Sequence, residues 1–139
     1  MARQARPESR PAIVLRETDA ERLSALATQM EDRSPLPANL LLEEIDRAEV
    51  RPDHLVPDTT VGMHSVVVFV DGAHGLARTV TLVYPGEADI SAGRISILTP
   101  VGAGLIGLSP GQSIRWPDRD GHERPLRILK AARPAAAAS

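Results

Sequence analysis

The chain contains no cysteine. Disulfides, thiolate metal sites and a cysteine nucleophile are therefore excluded, and the composition is consistent with a reducing compartment. Aromatic residues are nearly as scarce, with only Phe69, Tyr84 and Trp116. The core must be aliphatic, and three rings are too few to be expected to line a ligand cleft. No apolar run approaches the roughly 18 residues of a membrane span, and no signal-peptide core follows the basic start. These absences lead to the expectation of a soluble cytoplasmic protein without a membrane partner. Neither sign of charge dominates: 16 basic and 18 acidic residues give a net −2. A general phosphate-binding surface is not expected from that balance. What remains is a chain of 139 residues, 42% of them hydrophobic. That is enough for one compact domain with at most a small appendage.

The chain is organised around Thr79 to Pro85 and the run from Ile95 to Leu108. These read as strand, loop, strand and short helix. Thr99 suits the N-cap of that helix, and Pro100 suits its first position because the N–H it lacks would be unpaired there. Val101, Leu105 and Leu108 form one helical stripe. Gly102, Gly104 and Gly107 would each weaken an isolated helix by about 1 kcal/mol. The expectation is a helix held by the sheet, with glycines permitting close approach.

Upstream, residues 1–12 are rich in Arg, Pro and Ser and read as a disordered leader. Ile13-Val14-Leu15 reads as an edge contact or a staple ahead of a helix. Thr18 and Glu21 have capping-box spacing. Leu23, Leu26 and Met30 then mark one helix. Pro37 to Val50 marks a second, with Leu41, Ile45 and Ala48 on its apolar stripe and Glu43 and Arg47 as an i,i+4 pair. The two helices, spanning 13–50, form an antiparallel hairpin about 20 Å long at 1.5 Å per residue. A proline-rich linker is expected over 51–60, then a sheet domain over 61–131 and a loose tail over 132–139. Val61 to Val70, Leu76 to Tyr84, Gln112 to Trp116 and Glu123 to Lys130 read as further strands. Val66 to Val70 is apolar on both faces, the mark of a strand in the middle of a sheet. The fold class is α+β, a helical hairpin followed by a mostly antiparallel sheet with one short helix.

Catalytic and metal-binding patterns are weak. His54, His64, His74 and His122 lack zinc-motif spacing, and no G-x-S-x-G occurs. Gly102-Ala-Gly104-x-x-Gly107 matches G-x-G-x-x-G, but it lies inside the helix and position 127 is arginine, so helix–sheet packing explains it better than a dinucleotide. Glu87 and Asp89 are close enough in sequence to be a carboxylate pair, and solvated loop charges is the simpler reading. Glu31 and Asp32 sit side by side at the hairpin tip. They are ordinary turn acids unless another protein brings a divalent cation to them. No catalytic residue, metal ligand or cofactor is assigned.

Five segments carry a resemblance: Asp19 to Leu23, Leu42 to Val50, Val61-Gly-Met-His-Ser65, Thr81-Leu-Val-Tyr-Pro85 and Ile95 to Leu108. Together they resemble the Rnk-type regulators of nucleoside diphosphate kinase, short-armed relatives of the Gre transcript-cleavage factors. The resemblance implies an FKBP-like C-terminal domain on a short antiparallel coiled coil. It implies a monomer that binds bacterial RNA polymerase at the secondary-channel rim in competition with Gre factors, without being an enzyme. In Gre factors a Ser-Pro segment opening the short helix grips the rim. Thr99-Pro100, with Val101 beside it, takes that place here. Gre arms end in an Asp and a Glu separated by two intervening residues, which help hold a catalytic Mg²⁺ of the polymerase. Glu31 and Asp32 are adjacent and the arm is shorter, and both departures weigh against stimulated cleavage. Cleavage by way of this tip remains the alternative, and a prolyl isomerase on the FKBP-like fold is a more distant one.

Overall fold

A computed structural model describes residues 10–72, 75–117 and 122–133. The expected leader up to residue 9, the tail from 134 onward, His74 and most of the turn after Pro117 lie outside the described residues. Ten elements follow in order: β1 (Val14–Arg16), α1 (Glu17–Met30), α2 (Pro35–Arg47), β2 (Glu49–Arg51), β3 (Val66–Asp71), β4 (Leu76–Val83), β5 (Arg94–Ser96), α3 (Pro100–Leu105), β6 (Ser113–Pro117) and β7 (Glu123–Ala132). The fold is α+β, as its sequence pattern predicts.

The two helices have 14 and 13 residues and are joined by a turn at 31–34. The second begins at Pro35 rather than Pro37, since both prolines fall in a first turn where backbone N–H groups have no helical partner. The capping box does not form. Helix α1 starts at Glu17, and the Thr18 N–H and hydroxyl donate instead to Asp53 at 3.1 and 2.5 Å. A carboxylate from across the junction thus does the work of a local cap, and these bonds hold the Asp53 carboxyl below its ordinary range. Asp53→Ala should cost about 1 kcal/mol. Urea melts at neutral pH test this. The loss should shrink as pH falls through the depressed folded pKa, because the stabilisation requires the ionised carboxylate.

Arg47 also chooses a different partner. It chelates Glu44 at 2.6 to 3.0 Å and donates to the Pro11 carbonyl at 2.6 Å, while Glu43 takes Arg10 at 3.4 Å. Glu44 is fully buried where the chain enters the fold, so a paired guanidinium matters more there than on the exposed face.

Strands β1 and β2 pair in parallel, Val14 with Glu49 and Arg16 with Arg51. The apolar run at 13–15 therefore reaches a real strand partner, since the helical hairpin returns the chain beside its own start. The larger sheet has the order β5-β4-β3-β7-β6. Its pairings are antiparallel except β4 with β5. Strand β3 is central but begins at Val66 rather than Val61. His64 has φ of 69°, and a turn from Gly62 to Ser65 comes first. The apolar core joins both regions: Leu23 and Leu41 belong to the same buried cluster as Phe69, Leu82, Leu105 and Ile128. Among the described residues no helix is long and apolar enough to cross a membrane.

Candidate partner-docking cleft

Helix α3 is short because Ile106 leaves the helical region and Gly107 has φ of 81°. Its start follows the expected chemistry. The Thr99 hydroxyl accepts from the Gly102 N–H at 3.1 Å and donates to the Ser96 carbonyl at 2.7 Å. Both uses are internal, so Thr99 fixes the helix instead of projecting from it. Pro100 is buried, and Val101 is half-buried. These three residues form one wall of a cleft of about 280 Å³.

The opposite wall is the inner face of the sheet, with Phe69 and Val80, and Trp116 closes one side. The expectation that three rings would not line a cleft is corrected here, since two of them meet in this one. Phe69 and Trp116 stand on strands separated by β7, and only the sheet order brings them together. The indole N–H of Trp116 donates to the Pro100 carbonyl. Gly104 lets α3 lie on the ring: a Cβ there would come within 2.9 Å of it. Ile90, 81% exposed, stands at the lip.

Charged groups gather at the mouth, apart from the buried Asp71. Arg78 lies 5.8 Å from the Phe69 centroid, and Arg94 is 3.7 Å from Asp89. Asp71, nearly buried, accepts from Arg124 at 3.1 Å. An apolar floor with ionic groups at its rim suits an apolar side chain of a partner protein.

The other candidate residues lie elsewhere. Glu31 and Asp32 are exposed on the turn between α1 and α2. Glu87 and Asp89 do not act as a pair. Glu87 accepts from the Tyr84 N–H and meets His64 at 2.9 Å, while Asp89 accepts from the Ser91 N–H and hydroxyl. Those bonds, from His64 first in one case and Ser91 first in the other, lower both carboxyls. His54 lies in a single 3₁₀ turn, His64 beside Tyr84, and His122 is exposed. Among the described residues no three His, Asp or Glu side chains converge as metal ligands would.

Comparison with known proteins covers nearly the whole described chain. The family described as "Transcription elongation factor, GreA/GreB, C-term" matches residues 56–133, and "Rnk N-terminus" matches 11–50. The chain is 37% identical over 122 residues to the regulator of nucleoside diphosphate kinase of Escherichia coli strain K12, covering 88% of this chain and 90% of that protein. It is 30% identical over 135 residues to transcription elongation factor GreA of Acidiphilium cryptum, covering 91% and 85%. The solved structure of a prokaryotic transcription elongation factor GreA/GreB from Nitrosomonas europaea superposes with a TM-score of 0.68 at 37% identity, covering 88% of this chain and 99% of that one.

Proposed function

The chain belongs to the GreA/GreB transcription elongation factor family, in its Rnk-type branch, and from that premise we propose that it is a non-enzymatic regulator binding bacterial RNA polymerase. The body over 61–131 is FKBP-like and docks at the rim of the secondary channel. The arm over 13–50 is a short coiled coil, carried on the linker at 51–60. The protein acts as a monomer and competes with Gre factors for the rim. Any effect on nucleoside diphosphate kinase follows from transcription.

The observation that carries this reading is the cleft walled by α3. It sits at the segment whose Gre counterpart is implied to grip the rim, and its apolar floor fits an anchoring side chain. Helices of 14 and 13 residues give an arm of about 20 Å. Mg–O bonds are about 2.1 Å long, so a tip held several ångströms short leaves Glu31 and Asp32 without a metal contact. The protein occupies the doorway without delivering acids to the catalytic centre.

The test uses Val101→Glu and Ile90→Asp, because changing Thr99 would remove the α3 cap along with any contact. Each should weaken binding to purified polymerase by about tenfold or more. The thermal melt should stay unchanged for the exposed Ile90→Asp, whereas Val101→Glu, packed against the core, should also lower it. Unaltered affinity in both would remove the cleft from the interface. The alternative, a cleavage factor using the acidic tip, requires transcript cleavage in stalled complexes that disappears in Glu31→Ala and Asp32→Ala.

A further inference from the structure

The sequence of β3 asks for cover on both faces, and the fold supplies it on one. Val67 and Phe69 are buried in the core cluster, whereas Val66, Val68 and Val70 face the other way, Val68 and Val70 half-buried. Val66 is 37% exposed, and the neighbouring outward residues Thr79, Arg127 and Lys130 are exposed as well. A strand apolar on both faces normally lies between two layers. An irregularity in the ladder enlarges the uncovered strip. The β3–β7 register passes from Val68 opposite Lys130 to Phe69 opposite Ile128, which leaves Leu129 as an extra residue, 45% exposed.

Cations flank this strip. Lys130 is paired with Val68, and Arg127 with Val70. Among the described residues neither has a carboxylate within ion-pairing distance, and Arg115 has only Glu123 at 3.7 Å. A row of valines favours an apolar partner surface, and the cations beside it favour carboxylates on that surface. A nucleic acid would leave the valines without a match, and the strip has no aromatic ring for stacking. The geometry points to a second docking surface: the outer face of the sheet binds an acidic amphipathic helix of a protein partner. It lies across the strands from the cleft, because Phe69 and Val80 point inward where Val68 and Thr79 point outward. Variants of this face therefore leave the cleft intact, and the inference stands apart from the polymerase reading.

The experiment titrates the isotope-labelled full chain with a stapled helical peptide bearing glutamates on one face and leucines on the other. The expected result is amide shifts at Val66, Val68, Val70 and Leu129, with affinity falling as salt rises. Arg127→Glu combined with Lys130→Glu should weaken binding about tenfold and favour the matching lysine–leucine peptide, with an unchanged melt. A second variant, Leu129→Ser, should weaken binding of the acidic peptide without that reversal. The inference is overturned by any of four results. These are no shifts on this face at millimolar peptide, equal binding of acidic and basic peptides, tighter binding of a single-stranded oligonucleotide, or concentration-dependent dimerisation that buries the face.

Discussion

Arg16→Met should lower the unfolding free energy by about 3 kcal/mol. Arg16 is only 2% exposed at the end of β1. Its guanidinium donates to the Pro57 carbonyl at 2.8 Å and the Thr60 carbonyl at 3.4 Å, tying the start of the arm to the chain that leads into the sheet. Asp19, also buried, accepts from the Met63 N–H at 3.2 Å nearby. Methionine fills the volume but donates nothing, so the Thr60 carbonyl loses its side-chain donor, the Pro57 carbonyl keeps only the Thr60 N–H at 3.0 Å, and Asp19 loses a neighbouring positive charge. Burial already raises the Asp19 carboxyl, against the Met63 hydrogen bond and the Arg16 charge. Removing Arg16 should raise it further.

The sign of the pH effect follows. A carboxyl raised by folding binds its proton more tightly in the native state, so its contribution to stability is present below the unfolded pKa and is lost as pH rises through the folded one. Arg16→Met should therefore be most impaired at neutral pH and should recover toward the ordinary carboxyl range. Adding Asp19→Asn should abolish that recovery, because an amide still accepts from Met63 but does not ionise. Asp53, lowered chiefly by the Thr18 hydrogen bonds and least by Arg16, slopes the opposite way and drops out of the comparison between the single and double variants, both of which lack Arg16. Urea melts across pH decide the matter. A melt for Arg16→Met that matches the parent at neutral pH would show that the buried guanidinium contributes nothing.

The sequence carried the local features and missed those that depend on distant partners. The N-cap at Thr99, the packing role of Gly102 and Gly104 and the order of the long strands all rest on neighbours a few residues apart, and the structure shows each of them. Gly107 and Leu108, expected inside the helix, lie beyond its end at Leu105. The parallel pairing of β1 and β2 spans the whole helical hairpin, and strands of three residues are too short for a period to be seen. The cap on α1 came from Asp53, 35 residues beyond Thr18, where no capping motif looks. The cleft was hidden for the same reason. Phe69 and Trp116 are unremarkable in sequence and share a site only through β7 between them. The family resemblance pointed to Thr99, Pro100 and Val101. Ile90 carries no periodic or motif signal, and its position at the lip follows from the 3₁₀ turn that holds it.

Gly102→Ala should destabilise the protein by about 1–3 kcal/mol even though alanine is the better helix former. Helix propensity alone favours alanine by about 1 kcal/mol. A Cβ at 102, however, would stand 2.2 Å from the Ser96 carbonyl oxygen and 3.0 Å from the Ile97 Cα. Both are backbone atoms, so no rotamer relieves the overlap and α3 must lift from β5. The Ser96 carbonyl also accepts the Thr99 hydroxyl, and the Gly102 N–H is what the Thr99 oxygen caps, so the lift breaks the cap as well. Pro100 and Val101 then move with the helix, and the cleft wall moves with them. Gly102→Ala should thus lose stability and polymerase affinity together, whereas Ile90→Asp, at a residue 81% exposed, should lose affinity alone. Gly86→Ala is the control, since nothing lies within 4 Å of a Cβ there and it should melt no lower than the parent. Denaturant melts read alongside polymerase binding separate these effects. If Gly102→Ala gained stability, the close approach of helix to strand would be disproved, and the cleft would lose the contact that fixes its shape.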